Sequence, residues 1–235
     1  MITSAVIVAA GKGLRMGGPV PKQYMELCGI PVLARTLMAF EQSRVDEVIV
    51  ICPKGDITYV LKSMIANFGI RKVSKVLEGG KERFDSCRTG IEATSPDTSC
   101  ILVHDGARPL ISAELINRVT ECAIRYRACC PGVIPKDTIR LVDPSSFSSD
   151  TPARDQCRLI QTPQGFEAGL LREAYRKFFA GTESERAAMG ITDDAMLVQK
   201  ETGQKIYICD GEPANLKITS PEDIAVAEYI LNNIA

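Results

Sequence analysis

The sequence contains no tryptophan and a single histidine, His104, among its 235 residues. One histidine excludes multi-histidine metal centres and the HExxH zinc motif, and its place directly before Asp105 disfavours a general-base role. The nine cysteines include no CxxC pair, so we interpret them as small buried apolar side chains in a reducing compartment. No apolar run is long enough to cross a bilayer and no basic segment precedes the first one, which predicts a cytoplasmic protein without membrane contact.

The sequence has no excess of positive or negative charge. Lysine and arginine number 28 against 29 acidic residues, a formal net charge of -1. This balance argues against a broad basic surface for nucleic acid or for an anionic membrane. A hydrophobic content of 45% suits a soluble enzyme, and we expect residues 1–235 to form a single domain. Any specificity for anions must therefore come from a few well-placed cations.

Apolar runs typical of buried strands alternate with segments of helical spacing over the first 134 residues. This alternation predicts an α/β fold of the Rossmann-like kind, a mostly parallel sheet with helices on both faces. The predicted strands are residues 4–10, 45–52, 72–77, 100–104, 129–134 and, later, 205–209. The predicted helices are residues 32–40, 61–68, 83–93, 113–126, 167–179, 192–200 and a last one that starts at Pro221.

The alternation fails over residues 135–158, which are rich in serine, aspartate and proline. No helix fits this segment, and two short β-like pieces around a serine-rich turn would make a projecting hairpin. A disordered surface loop is the alternative, because loops of this length are usually functional or mobile.

A glycine-rich loop, AAGKGLRMGGPVPK, follows the first predicted strand over residues 9–22. Ligands bind at the carboxyl ends of parallel strands, and glycine lets backbone N–H groups approach an anion closely. The loop fits neither a Walker A motif nor a dinucleotide fingerprint, because GK[ST] is missing and Pro19 and Pro21 prevent an early helix. The pattern instead predicts a binding site for a nucleoside triphosphate. Attack at the α-phosphorus builds up negative charge, which nearby cations stabilise. The cations of the loop are Lys12, Arg15 and Lys22.

Three further motifs lie where predicted strands end. VHDGARP offers Asp105 for Mg²⁺ or a substrate hydroxyl and Arg108 for a phosphate or polyol, with a structural Asp–Arg pair as the alternative. GGKERFDS places Arg83 and Ser86 near a helix start, which suits a base edge or a ribose, although the signal alone is weak. Lys217 in NLKIT lies in an apolar setting, and a solvated lysine is an equally good interpretation from composition.

The motifs AAGKGLRMG, GGKERFDS, VHDGARP, PKDT, QTPQGF, TDDA and NLKIT together resemble the 2-C-methyl-D-erythritol 4-phosphate cytidylyltransferase family over nearly the whole chain. The resemblance implies transfer of cytidylyl from CTP to that sugar-alcohol phosphate, with Mg²⁺ and release of pyrophosphate, in the non-mevalonate isoprenoid pathway. It also implies a homodimer in which residues 136–157 form a protruding dimerisation arm that completes the partner's site, which favours the hairpin over a disordered loop.

The same resemblance implies roles for individual residues. Asp105 faces both acceptor and metal, and Thr138 and Arg154 come from the partner's arm. Lys81 stands where the family often has an acid, so cytosine selectivity depends on whether that contact uses backbone or side chain. The implied catalytic residues are Arg15, Lys22, Arg154 and Lys217; the nucleotide-binding residues are Ala9, Ala10, Gly11, Lys12, Gly13, Gly80, Arg83 and Ser86; the substrate-binding residues are Asp105, Arg108, Thr138 and Thr162.

Three alternatives stay open at this point. A pentitol-phosphate cytidylyltransferase, for example one that uses ribitol 5-phosphate, would have a very similar layout, although HDGARP looks more like the methylerythritol branch. A regulatory nucleotide-binding protein could keep the base pocket without the cations around the α-phosphate. A nicotinamide-dependent oxidoreductase is disfavoured by the failed fingerprint.

Overall fold

A computed structural model describes residues 1–11 and 20–233 of the chain. Short 3₁₀ helices span Lys22–Tyr24 and Arg154–Gln156, and α2 continues as π-helical turns over Val60–Ala66. The strands are β1 (Ile2–Val8), β2 (Glu26–Leu27), β3 (Ile30–Pro31), β4 (Glu47–Cys52), β5 (Val73–Glu78), β6 (Thr98–Asp105), β7 (Ala128–Val133), β8 (Leu141–Val142), β9 (Ser148–Asp150), β10 (Leu159–Ile160), β11 (Gln164–Glu167) and β12 (Tyr207–Asp210). The helices are α1 (Val32–Gln42), α2 (Ile57–Tyr59), α3 (Arg83–Ala93), α4 (Ala113–Tyr126), α5 (Ala168–Ala180), α6 (Glu183–Ala188), α7 (Asp194–Thr202) and α8 (Pro221–Asn233).

The main sheet has eight strands, in the order β10-β7-β11-β6-β1-β4-β5, with β12 also paired to β7. The pairs β1–β4, β1–β6, β4–β5 and β7–β12 are parallel, which confirms the predicted, mostly parallel sheet. Strand β11 is antiparallel to both β6 and β7, so those two strands run in the same direction. The periodicity did not reveal β11, because its four residues, QGFE, hold one large apolar side chain and run straight into α5.

Two hydrophobic clusters cover the two faces of this sheet. One contains Leu37 and Phe40 of α1 and Leu115 of α4, and the other contains Ile91 of α3 and Leu171 of α5. Helices on both faces therefore exclude water from both sides of the central strands. This is why β1 and β4 have nearly continuous apolar sequences instead of alternating ones.

The segment that interrupts the alternation contains the hairpin β8–β9, a two-stranded antiparallel sheet separate from the main one. The two predicted β-like pieces are confirmed, and Asp143 closes the serine-rich turn by accepting hydrogen bonds from the backbone N–H groups of Ser145 and Phe147. Every residue from 141 to 150 is exposed, including the apolar side chains of Leu141, Val142 and Phe147.

Candidate active site

A cavity of about 350 Å³ opens at the carboxyl edge of the sheet, where β1, β5 and β6 end. Its walls come from the chain after each of these strands and from the segment before α8. Nine of the residues predicted for the site line it together: Ala9, Ala10, Gly11, Lys22, Gly80, Arg83, Ser86, Asp105 and Lys217.

The wall after β5 is a tight turn that leads into α3. The hydroxyl of Ser86 accepts a hydrogen bond from the Gly80 backbone N–H at 3.1 Å and donates to the Glu82 carbonyl at 3.2 Å. A methyl group at Gly80 would overlap the β-carbon of Asp85, so this close approach requires glycine. A capping box between Glu82 and Asp85 fixes the start of α3 beside the cavity.

Asp105, at the end of β6, lies among three cations. Its carboxylate oxygens are 2.8 Å from Lys217 Nζ, 3.6 Å from Arg83 Nε and 3.8 Å from Arg108 Nε. Burial alone would raise the pKa of Asp105, but the positive charges of Arg83 and Lys217 outweigh it and hold that pKa well below its usual range. Asp105 is therefore ionised throughout the physiological pH range and organises the surrounding cations.

Arg83 is held from both sides. Its Nη2 donates to Asp194 at 2.7 Å, and Asp194, fully buried at the start of α7, also accepts a hydrogen bond from the Tyr175 hydroxyl at 2.5 Å. Among the described residues, the buried Arg83 Nη1 has no hydrogen-bond partner and remains a donor for a ligand. Neither Asp194 nor Tyr175 was predicted to belong to the site, although Asp194 is part of the TDDA motif.

Lys217 is positioned through the residue that follows it. The Ile218 backbone N–H donates to the Ala107 carbonyl at 2.8 Å, and the Ile218 carbonyl accepts a hydrogen bond from Lys22 Nζ at 2.9 Å. These two bonds tie the segment before α8 to both the first loop and the end of β6. Ile218 is fully buried, and the ion pair of Lys217 with Asp105 excludes an isolated solvated lysine.

Two predicted substrate-binding residues lie behind the cavity wall. Arg108 is 9% exposed and donates to the Asn215 carbonyl at 2.8 Å. Thr162 is 5% exposed, and its hydroxyl accepts a hydrogen bond from the Asp105 backbone N–H at 3.1 Å and contacts His104 Nδ1 at 3.0 Å. Within this chain both side chains therefore support Asp105 and the segment before α8 and do not line the cavity.

The remaining predicted site residues are not brought to this cavity by the described chain. Thr138 and Arg154 are exposed in the segment around the β8–β9 hairpin, and Arg154 Nη1 donates to the Lys136 carbonyl at 2.8 Å. Lys12, Gly13 and Arg15 lie outside the described residues, so their predicted roles stay predictions.

Several cavity residues were not predicted. Gln23 is buried, and its Nε2 has no hydrogen-bond partner among the described residues, while Glu82 adds a second carboxylate to the lining. Lys81 also borders the cavity, but its side chain is 80% exposed and pairs with Glu183 of α6 at 3.4 Å. A surface pair of this kind contributes little to stability, so Lys81 is free to change partner when a ligand binds.

His104 lies fully buried beneath Asp105. Burial lowers the pKa of His104 to about 3, so its imidazole is neutral at physiological pH. Its ring packs against Phe40, and its Nδ1 contacts the Thr162 hydroxyl. This environment supports a structural role and agrees with the expectation that it does not act as a general base.

The cavity lining carries four cations, Lys22, Lys81, Arg83 and Lys217, and two carboxylates. A positive cavity at the carboxyl edge of a parallel sheet, with glycine backbone exposed beside it, is suited to phosphates. The fold and the cavity therefore define an α/β nucleotidyltransferase.

Comparisons with known proteins identify the family. The family model described as IspD, 2-C-methyl-D-erythritol 4-phosphate cytidylyltransferase, matches residues 3–233, and the chain belongs to this family. The enzyme of that name from Lachnoclostridium phytofermentans is 45% identical over 97% of this chain and 95% of its own length. That from Clostridium beijerinckii is 38% identical over 99% of this chain and all of its own.

Solved structures agree with this assignment. The crystal structure of 4-diphosphocytidyl-2C-methyl-D-erythritol synthase from Anaerococcus prevotii has a TM-score of 0.86 at 32% identity, covering 99% of this chain and 96% of that one. The cytidylyltransferase from Thermus thermophilus has a TM-score of 0.76 at 34% identity, covering 99% and 100%. Within the described ranges, no helix has both the length and the apolar character needed to span a bilayer.

Proposed function

We propose that this chain transfers the cytidylyl group of CTP to 2-C-methyl-D-erythritol 4-phosphate in isoprenoid precursor biosynthesis, giving 4-diphosphocytidyl-2-C-methyl-D-erythritol and pyrophosphate. One observation carries the proposal: Lys22 lines the same cavity as Asp105 and the two cations paired with it, Arg83 and Lys217. The backbone of Gly11 and Gly80 lines the same cavity. The family assignment supplies the identity of the two substrates, which the cavity alone does not encode.

The reaction needs charge stabilisation more than proton transfer. A phosphate oxygen of the acceptor forms the new bond to the α-phosphorus of CTP, and the bond from that phosphorus to the β-phosphate oxygen breaks. The attacking oxygen is already anionic, so no general base is required, in keeping with a neutral, buried His104. Lys22 and Lys217 are the described cations best placed to oppose the charge that develops on the phosphates, and we assign Arg15 the same role.

Mg²⁺ fits this donor set, provided that it arrives with the nucleotide. Mg²⁺ typically binds through one or two carboxylates together with substrate phosphates, and Asp105 offers a carboxylate at the cavity wall. Arg83, Arg108 and Lys217 already surround that carboxylate, so they would repel a lone divalent cation. Bound to Asp105 and the triphosphate, the ion would neutralise phosphate charge. We therefore expect Mg²⁺ alone to bind weakly and Mg²⁺ with CTP to bind tightly.

We also propose that the protein acts as a cytoplasmic homodimer. Thr138 and Arg154 are exposed beside a hairpin whose apolar side chains, Leu141, Val142 and Phe147, are exposed as well. A partner subunit would cover these apolar groups and receive the two polar side chains in its own cavity. The nine cysteines, all free, suit a reducing compartment.

The decisive measurement is pyrophosphate release with each of the four ribonucleoside triphosphates, combined with either methylerythritol 4-phosphate or ribitol 5-phosphate. We expect rapid release with CTP and methylerythritol 4-phosphate only. A preference for ribitol 5-phosphate would establish the pentitol branch instead, and binding of CTP without release for either acceptor would indicate a regulatory protein. Lys22→Ala provides the background rate for each substrate pair.

A further inference from the structure

Three cysteines that are distant in the sequence meet on one face of the sheet. Cys122 belongs to α4, Cys129 to β7 and Cys209 to β12. Their sulfur atoms all lie within 4.8 Å of one another, and the described residues contain no other such group of three potential metal ligands. The cytidylyltransferase reaction makes no use of these thiols, none of which lines the catalytic cavity.

The spacing of the sulfur atoms is close to that of a metal-thiolate centre. A thiolate binds Zn²⁺ at about 2.3 Å, so sulfur atoms that share one ion lie about 3.8–4.0 Å apart. Sulfur atoms within 4.8 Å of one another can reach this geometry through small rotations of the three side chains. We propose that Cys122, Cys129 and Cys209 form a binding site for one thiophilic divalent cation, of which Zn²⁺ is the physiological example.

Metal binding requires the loss of the protons of the three thiols. Binding of a divalent cation releases one proton from each thiol and leaves a centre with one net negative charge. Arg118 donates to the Asp210 carbonyl at 2.8 Å and lies 3.8 Å from Glu212, and its positive charge would offset part of that negative charge.

The site has one side from which an ion can enter. Cys129 and Cys209 are buried in the core, whereas Cys122 is only partly buried. A cation entering beside Cys122 would cross-link α4 to the parallel pair β7–β12. Three protein thiolates also leave a fourth position for water, as zinc sites with three protein ligands commonly do.

The neighbouring Cys130 provides a matched control. It is buried on the same strand as Cys129, but successive strand residues face opposite sides of the sheet, and Cys130 packs in the other hydrophobic cluster. Cys130→Ser therefore changes one buried thiol of β7 without removing a ligand of the proposed site.

The test is a titration of the reduced, metal-free full-length chain with Cd²⁺, followed by ultraviolet absorbance, and with Zn²⁺ in competition with a chromophoric chelator. We expect one equivalent per chain, a thiolate-to-metal charge-transfer band and release of protons. Cys122→Ser, Cys129→Ser and Cys209→Ser should each weaken binding by at least about tenfold, whereas Cys130→Ser should bind like the unmodified chain.

Two results would overturn the proposal. One is the absence of a charge-transfer band in the unmodified chain, including the case in which two of the thiols form a disulfide under these conditions. The other is a band that survives substitution at all three positions. Cys122→Ser, at the partly exposed position, keeps the test valid if the buried variants do not fold, and circular dichroism identifies such variants.

Discussion

The cavity and the hairpin segment differ in how their polar side chains are held. Around the cavity, Asp105, Arg83 and Lys217 are fixed by ion pairs and hydrogen bonds from four separate parts of the chain. Around the hairpin, Arg154 donates a hydrogen bond to the nearby Lys136 carbonyl, and Thr138 is exposed. The cavity residues are therefore preorganised within one subunit, whereas the described chain does not hold the hairpin residues in this way.

The largest effect is expected from Lys22→Ala. If Lys22 opposes the charge on the reacting phosphates, as proposed, its removal should lower turnover by at least about a few hundredfold, with little change in stability. Steady-state pyrophosphate release measures this, with Lys81→Ala as the matched control. Lys81 lines the same cavity but is 80% exposed, so its loss should change turnover by less than about tenfold. A decrease in turnover of less than about tenfold for Lys22→Ala would show that Lys22 is not a catalytic residue.

A smaller but more specific effect is expected from mixing two inactive variants. If the hairpin segment serves the partner's cavity, a heterodimer of Arg154→Ala and Lys22→Ala subunits contains one intact site. An exchanged equimolar mixture should then recover about a quarter of the unmodified activity, since half of the dimers are mixed and each has one of two sites intact.

The control for the mixing experiment is a chain that carries both Lys22→Ala and Arg154→Ala, mixed with the unmodified chain. Its mixed dimers contain no intact site, so only unmodified homodimers should be active. Native mass spectrometry verifies exchange. Mixed dimers that remain inactive would show that Arg154 acts in the cavity of its own subunit.

A moderate effect is expected from Asp194→Asn. The substitution removes the charge that holds Arg83 but keeps the shape, so Arg83 should reorient and KM for CTP should rise about tenfold, with a smaller change in kcat. Unfolding by urea should show a loss of about 3 kcal/mol, because one partner of a buried pair is removed. Tyr175→Phe, which keeps the Asp194 charge, is the matched variant. An equal KM for CTP in Asp194→Asn and Tyr175→Phe would show that the charge of Asp194 does not position Arg83.

The smallest effect on turnover is expected from His104→Gln, which changes the pH dependence of stability instead. Burial lowers the pKa of His104 from 6.5 to about 3, so between these values the unfolded chain binds a proton that the folded chain does not. Its contribution to stability therefore falls with falling pH, by about 2 kcal/mol between about pH 7 and about pH 5. Urea unfolding at several pH values should show that the unfolding free energy of His104→Gln lacks this dependence on pH. An equal pH dependence for both chains would mean that His104 is not buried in its neutral form.

Local patterns were sufficient for most of the fold. The apolar runs of β1, β4 and β6 and the spacing of α3 and α4 reflect burial on two faces or on one stripe, which periodicity reveals directly. Strand β11 was missed because four residues with one large apolar side chain carry too weak a pattern, and α6 is a short, mainly polar helix that packs at the surface.

The sequence by itself determined the α/β class and showed a glycine-rich, cationic segment directly after β1, because both are properties of neighbours in the chain. Only the tertiary structure decided that Asp194 holds Arg83, that Lys22 reaches the Ile218 carbonyl and that Cys122 meets Cys129 and Cys209. Such contacts join residues far apart in sequence. They depend on how whole strands and helices pack in three dimensions, which neither residue spacing nor composition encodes.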